Sequence, residues 1–145
     1  MTIEFITFLL AFIGFIGLAT NAIYASFGKN HRMLMMITAV IITIHVLMVW
    51  AFRYEWQFSQ ATRNGYVGFL LFHSALSLII ASTAIAAERA RMFIIMAFLI
   101  VVMGANGAVF IYDVVAIYRY PVILISLSGL FFLSKNGYQK YLQNV

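Results

Sequence analysis

The groups in this chain best suited to chemistry are two histidines in apolar surroundings, His45 and His73. Met48 and Met103 are the nearby thioethers, and Asn106 is a further polar group. Neutral imidazole together with thioether suits Cu(I), and two histidines on separate helices suit a haem iron. Ionisable and polar groups inside a membrane are costly and usually face the protein interior, so they mark function more often there than elsewhere. Three readings follow, the third being a quinone or proton role for the same residues. In the preferred one, each histidine bonds to a serine, a threonine or a helix carbonyl and pins the packing, with no resident cofactor. In the alternative, His45, His73 and Asn106 bind a copper or haem cofactor, with His45, His73, Met48 and Met103 as the metal ligands.

Position along the chain brings the two histidines together. His45 is eight residues before Arg53 and His73 seven after Tyr66, on either side of the polar turn 54–65. At ~1.5 Å of rise per residue, both rings fall roughly 10 to 12 Å inside the apolar layer and face each other from antiparallel neighbours. Asn106, roughly 21 Å in from Arg91, falls near the same depth. Spacing disfavours haem in this hairpin, since helices in contact lie about 8 to 10 Å apart, too close to seat a porphyrin between opposed histidines.

Two charged clusters lie outside this layer. Lys29, His31, Arg32, Arg89 and Arg91 gather at one rim, where they could contact a lipid headgroup, a haem propionate or an acidic partner loop. Arg53, Glu55, Arg63, Asp113 and Arg119 gather at the other, as interfacial ion pairs. No nucleophile and base pair, Gly-rich phosphate loop or catalytic carboxylate dyad is apparent, so the reading is non-enzymatic. Cysteine is absent, which removes disulfides and thiolate sites.

The elements that position these residues are apolar helices. A chain of 145 residues that is 65% hydrophobic and only 9% charged cannot be an ordinary soluble domain, where about a quarter of residues carry charge. Its mean hydropathy of +1.02 points the same way. The expected fold is all-α, an integral membrane bundle of four to five helices in up-down topology. It forms a single domain with spans at about 3–26, 33–53, 66–87, 92–118 and 121–142. Phe27 to Arg32 makes one tight basic turn, and Glu88-Arg89-Ala90-Arg91 another. The last segment opens with the only proline, Pro121, in a helix's first turn. Lys135 and Lys140 can snorkel there, with Tyr138 and Tyr141 at the interface; a re-entrant segment is the alternative.

Charge sets the orientation. With the amino terminus outside, the inner loops and tail hold Lys29, Arg32, Arg89, Arg91, Lys135 and Lys140, and the outer side holds Arg53, Arg63 and Arg119. The net charge of +5 is therefore a matter of topology and anionic lipid rather than nucleic acid.

Three segments carry a family resemblance. These are Asn30-His31-Arg32-Met33-Leu34-Met35-Met36, then Tyr66-Val67-Gly68-Phe69-Leu70-Leu71-Phe72-His73, and Ala105-Asn106-Gly107-Ala108-Val109-Phe110-Ile111-Tyr112. Over residues 28–112 the chain resembles the small membrane proteins associated with maturation of haem-copper terminal oxidases, the CtaM or YozB type. The resemblance implies a non-catalytic accessory subunit or assembly factor of a larger membrane redox complex using haem or copper. Its partners would be other integral membrane subunits and lipids, including anionic headgroups at the inner rim. The expected location is a prokaryotic cytoplasmic membrane. A transporter is a lower reading, because five short spans leave little room for the paired repeats transporters use.

Overall fold

A computed structural model describes the backbone of residues 2–143 and the side chains of residues 2–137. The side chains of Tyr138, Lys140 and Tyr141, expected as rim anchors, lie outside the described residues. The fold is an all-α bundle. Its helices are α1 (Ile3–Ser26), α2 (Arg32–Phe52), the short α3 (Phe58–Ala61), α4 (Tyr66–Ala84), α5 (Ala87–Ile111) and α6 (Arg119–Gln143), with a 3-10 turn at Asp113–Tyr118 before α6. Five of them are long and apolar enough to cross a membrane.

The chain runs up and down between a Glu4 end and a Lys29 end. Arg32 at the start of α2 donates to the Thr83 carbonyl at the end of α4 (3.2 Å), and Asn64 before α4 donates to the Tyr112 hydroxyl after α5 (3.2 Å). The Arg32 contact satisfies a carbonyl that the helix end would leave without a partner. Helices α1 and α5 are the central pair. α1 packs against α2, α5 and α6, while α5 packs against α4, α1 and α6. Accordingly Leu18, Ala22, Ile94, Ala97 and Phe98 are wholly buried or nearly so.

The ends of the helices have local causes. After Ser26 the chain turns through Gly28, whose φ of +76° is a conformation that glycine adopts without strain. There Gly28 N–H donates to Ala25 O (3.0 Å) and Lys29 N–H to Tyr24 O (3.0 Å), the paired bonds of a Schellman end. Beyond α2, Glu55 and Trp56 both have positive φ and fold the chain back, so that Trp56 N–H donates to Trp50 O (3.0 Å).

Three boundaries differ from the sequence expectation. Residues Glu88 to Arg91 form the first turns of α5, not a connecting turn; the break is at Ile85 and Ala86, both extended. A charged helical turn at a membrane rim keeps its backbone bonds and sends its charges into water, so charge alone does not end a helix. The fourth span stops at Ile111, and residues Asp113–Tyr118 form a separate 3-10 turn. Helix α6 begins two residues before Pro121, which therefore sits in the first turn, where a missing N–H costs no helix bond.

Candidate functional site

The polar side chains inside the bundle form bonds between helices, and they do so at several separate levels. Asn21 of α1 donates to Gly17 O in its own helix (2.9 Å) and to Thr38 Oγ1 of α2 (3.0 Å). Asn106 of α5 repeats the pattern, donating to Val102 O (2.8 Å) and to Ser126 Oγ of α6 (2.8 Å). Asn136 of α6 donates to Ser26 Oγ of α1 (2.7 Å). In Asn21 and Asn106 one amide N–H closes onto a carbonyl four residues back, and the other reaches the next helix.

Close helix approach makes these reaches short. A Cβ at Gly17 would lie 2.6 Å from Thr38 Oγ1, so glycine at 17 is what lets α2 bring its hydroxyl to Asn21. Asn21 and Thr38 are buried, at 4% and 1% exposure. Bonds of this kind in membrane proteins average about 0.6 kcal/mol and reach about 1.7. Asn21→Leu, of similar bulk, should therefore destabilise the protein by about 1 kcal/mol, and Thr38→Val by a similar amount. The double variant should cost less than the two together, by the energy of their shared bond. Strict additivity in detergent unfolding would show that the contact contributes nothing.

The two histidines do not face each other. His45 Nδ1 lies 2.9 Å from Thr7 O of α1 and must donate to it, since a carbonyl can only accept. His73 packs the other way, against α2. Its Nε2 accepts from Trp50 Nε1–H (3.0 Å), and its Nδ1 donates to Phe69 O one turn back (2.8 Å). Trp50 is five residues beyond His45 and well around α2, so His73 meets a different side of that helix from the one that carries His45.

With both ring nitrogens engaged, His73 has no lone pair for a metal unless Trp50 is displaced. The Nε2 atom of His45 makes no hydrogen bond among the described residues. Met103 is 68% exposed on the outside of α5, away from both rings, and Met48 is partly buried on α2. Asn106 faces α6, so it does not join a polar layer with the histidines. Among the described residues, no three His, Asp, Glu or Cys side chains come together as a metal site would need.

Around His73 the side chains are aromatic. Phe69 stacks on its ring (4.0 Å between centroids), Trp50 meets it edge-on (5.9 Å), and Trp56 stacks on Trp50 (6.2 Å). By residue type and position at the end of α2, Trp50 reads as an interfacial anchor. The signal that could have paired it with His73 is the need of a buried indole N–H for an acceptor.

At the Lys29 end, Lys29, His31 and Arg91 come together around a gap of about 10 Å³ that Asn21, Asn30 and Met35 also line. Arg32 turns away to Thr83 O, and Arg89 is exposed on the first turn of α5. The Glu4 end departs from the expected cluster of ion pairs. Among the described residues the ion pair there is Arg53 with Glu4 (3.2 Å). Arg119 instead donates to Val109 O (3.2 Å) and lies over the Phe110 ring (4.9 Å), leaving Glu55 and Asp113 without a basic partner among the described residues.

Comparison with protein-family models, with curated proteins and with solved structures finds no match to this chain.

Proposed function

We propose that this protein is a non-catalytic accessory subunit or assembly factor of a larger membrane redox complex using haem or copper. The observation that carries the non-catalytic part is how the buried polar groups are used. Asn21, Asn106, Asn136 and His73 give their hydrogen bonds to neighbouring helices or to their own backbone, as does one nitrogen of His45. Polar groups in a membrane serve a transport path, a reaction or a packing contact. Here they hold helices together, which suits a body that docks to something else. The redox part rests on the resemblance in residues 30–36, 66–73 and 105–112.

Copurification from membranes in mild detergent, followed by mass spectrometry, tests the proposal. A stable integral membrane partner carrying haem or copper is expected to elute with the chain. Elution alone, with no membrane partner, would sink it. The isolated chain is expected to show no Soret band and no stoichiometric copper; either signal would favour the alternative, with the free nitrogen of His45 as the first ligand to test.

In this reading the protein sits in a prokaryotic cytoplasmic membrane with its amino terminus outside. Lys29, Arg32, Arg89, Arg91 and Lys135 at one end, against Arg53, Arg63 and Arg119 with three acids at the other, support that orientation. The absence of cysteine provides a clean test. Ser59→Cys, on an exposed residue between α2 and α4, should react with a membrane-impermeant maleimide on intact cells, whereas Lys29→Cys should react only after lysis. The reverse pattern would invert the topology.

A further inference from the structure

Helices α1 and α6 run in the same direction, and α1 also meets the 3-10 turn that leads into α6. Phe12 meets Tyr118 near the Glu4 end (5.1 Å between centroids), and Asn136 bonds to Ser26 near the Lys29 end (2.7 Å). Between these contacts lies an open groove of about 250 Å³, to which α1 contributes Ala19, Thr20 and Ile23 and α6 contributes Leu124, Ile125 and Ser128. The Thr20 hydroxyl is already bonded to Ile16 O (2.8 Å), so the lining is mainly apolar, with Ser128 as its other hydroxyl residue. Toward the Lys29 end, Phe27 and Phe132 bridge the same two helices (6.3 Å).

Lys135 follows Ser128 by seven residues, two helical turns, and so lies on the same face of α6, roughly 10 Å nearer the Lys29 end. It is exposed. From Leu124 to Lys135 the face runs about 16 Å, half of a hydrocarbon core about 30 Å thick and thus the depth of one leaflet. The groove volume matches roughly eight methylene-sized groups at ~30 Å³ each, about the volume of a water. That is a length of acyl chain.

We propose that the groove between α1 and α6 holds one acyl chain of an anionic phospholipid, whose phosphate pairs with Lys135. The length of one leaflet selects a lipid, and the lysine at its end selects the charge. This inference is independent of the redox proposal, since it needs no partner protein.

The full chain would be reconstituted in vesicles of equal phosphatidylglycerol and phosphatidylcholine, extracted in mild detergent, and its retained lipid read by native mass spectrometry. Phosphatidylglycerol should be retained about fivefold over phosphatidylcholine, the factor expected of one lysine near the membrane surface. Lys135→Gln should abolish that preference. Arg63→Gln, an exposed charge removed at the opposite end, should leave it unchanged. Ser128→Trp and, from the other wall, Thr20→Phe should each expel the lipid while circular dichroism shows the helices retained. Equal retention of the two lipids, an equal effect of Arg63→Gln and Lys135→Gln, or undiminished lipid in both groove-filling variants would overturn the proposal. So would a dimer cross-linked through the groove.

Discussion

Gly129→Ala will destabilise the bundle by about 1 to 3 kcal/mol, while Gly107→Ala, the same change in α5, will be neutral or mildly stabilising. Both glycines lie inside helices, where alanine is favoured over glycine by about 0.5 to 1 kcal/mol. What separates them is the neighbour. A Cβ at Gly129 would lie 2.3 Å from Cζ of Phe98 and 2.8 Å from its Cε1. Phe98 is fully buried and stacked against Phe15 of α1 (6.1 Å between centroids), so it cannot swing clear without moving α1, α5 and α6 together. A Cβ at Gly107 meets nothing within 4 Å. Gly104→Ala is the intermediate case, because its Cβ would lie 2.9 Å from Phe72 Cζ, on a ring 39% exposed and able to rotate outward. Unfolding in mixed micelles, followed by circular dichroism, should rank the variants 129, 104, 107. If the three midpoints moved alike, the close approach of α5 and α6 would be wrong.

These contacts mark the limit of what residue types and spacing disclose. The number and character of the helices were legible, because five runs with a mean hydropathy of at least 1.7 leave no other backbone solution in a membrane. The neighbour of each polar group was not. A histidine at a given depth on α2 can face α1 or α4, and the choice depends on rotation about the helix axis, which a nearly uniform apolar surface hardly signals. Counting residues from the turn put His45 and His73 level. Rotation about α2 separates them instead: His45 turns to Thr7 of α1, and Trp50, well around the helix, takes the His73 ring. Position near the end of the first span lets Asn21 bond to Thr20 or to nearby backbone; it takes Gly17 O, then reaches past its own helix to Thr38. Glycine spacing was equally mute. Gly14 and Gly17 read as packing residues, yet only the partner shows that the Gly17 contact brings a hydroxyl to an amide.

Trp50→Ala should cost about 3 kcal/mol and free the loop after α2, and Trp50→Phe about 1. The indole holds three things at once. Its N–H satisfies His73 Nε2 (3.0 Å), its face stacks on Trp56 (6.2 Å, 24° between planes), and its edge meets Tyr54 and Phe69. Phenylalanine keeps a ring against Trp56 and Phe69 and loses the bond, which leaves His73 Nε2 without its donor. Alanine also loses the ring contacts that fold residues 53–65 back over the end of α2. Local opening should follow, since that connection has few other anchors: the Arg53 to Glu4 pair is partly exposed, and such pairs contribute about 1 kcal/mol or less. Trypsin reads this directly at Arg53 and Arg63, which flank the loop. Cleavage should be slow in the native protein, little faster in Trp50→Phe and much faster in Trp50→Ala. Equal cleavage of the two variants would mean that the hydrogen bond, not the stacked rings, holds the loop. His73→Leu removes the same bond from the other side together with the imidazole stacked on Phe69 (4.0 Å between centroids), so it should cost somewhat more than Trp50→Phe and less than Trp50→Ala.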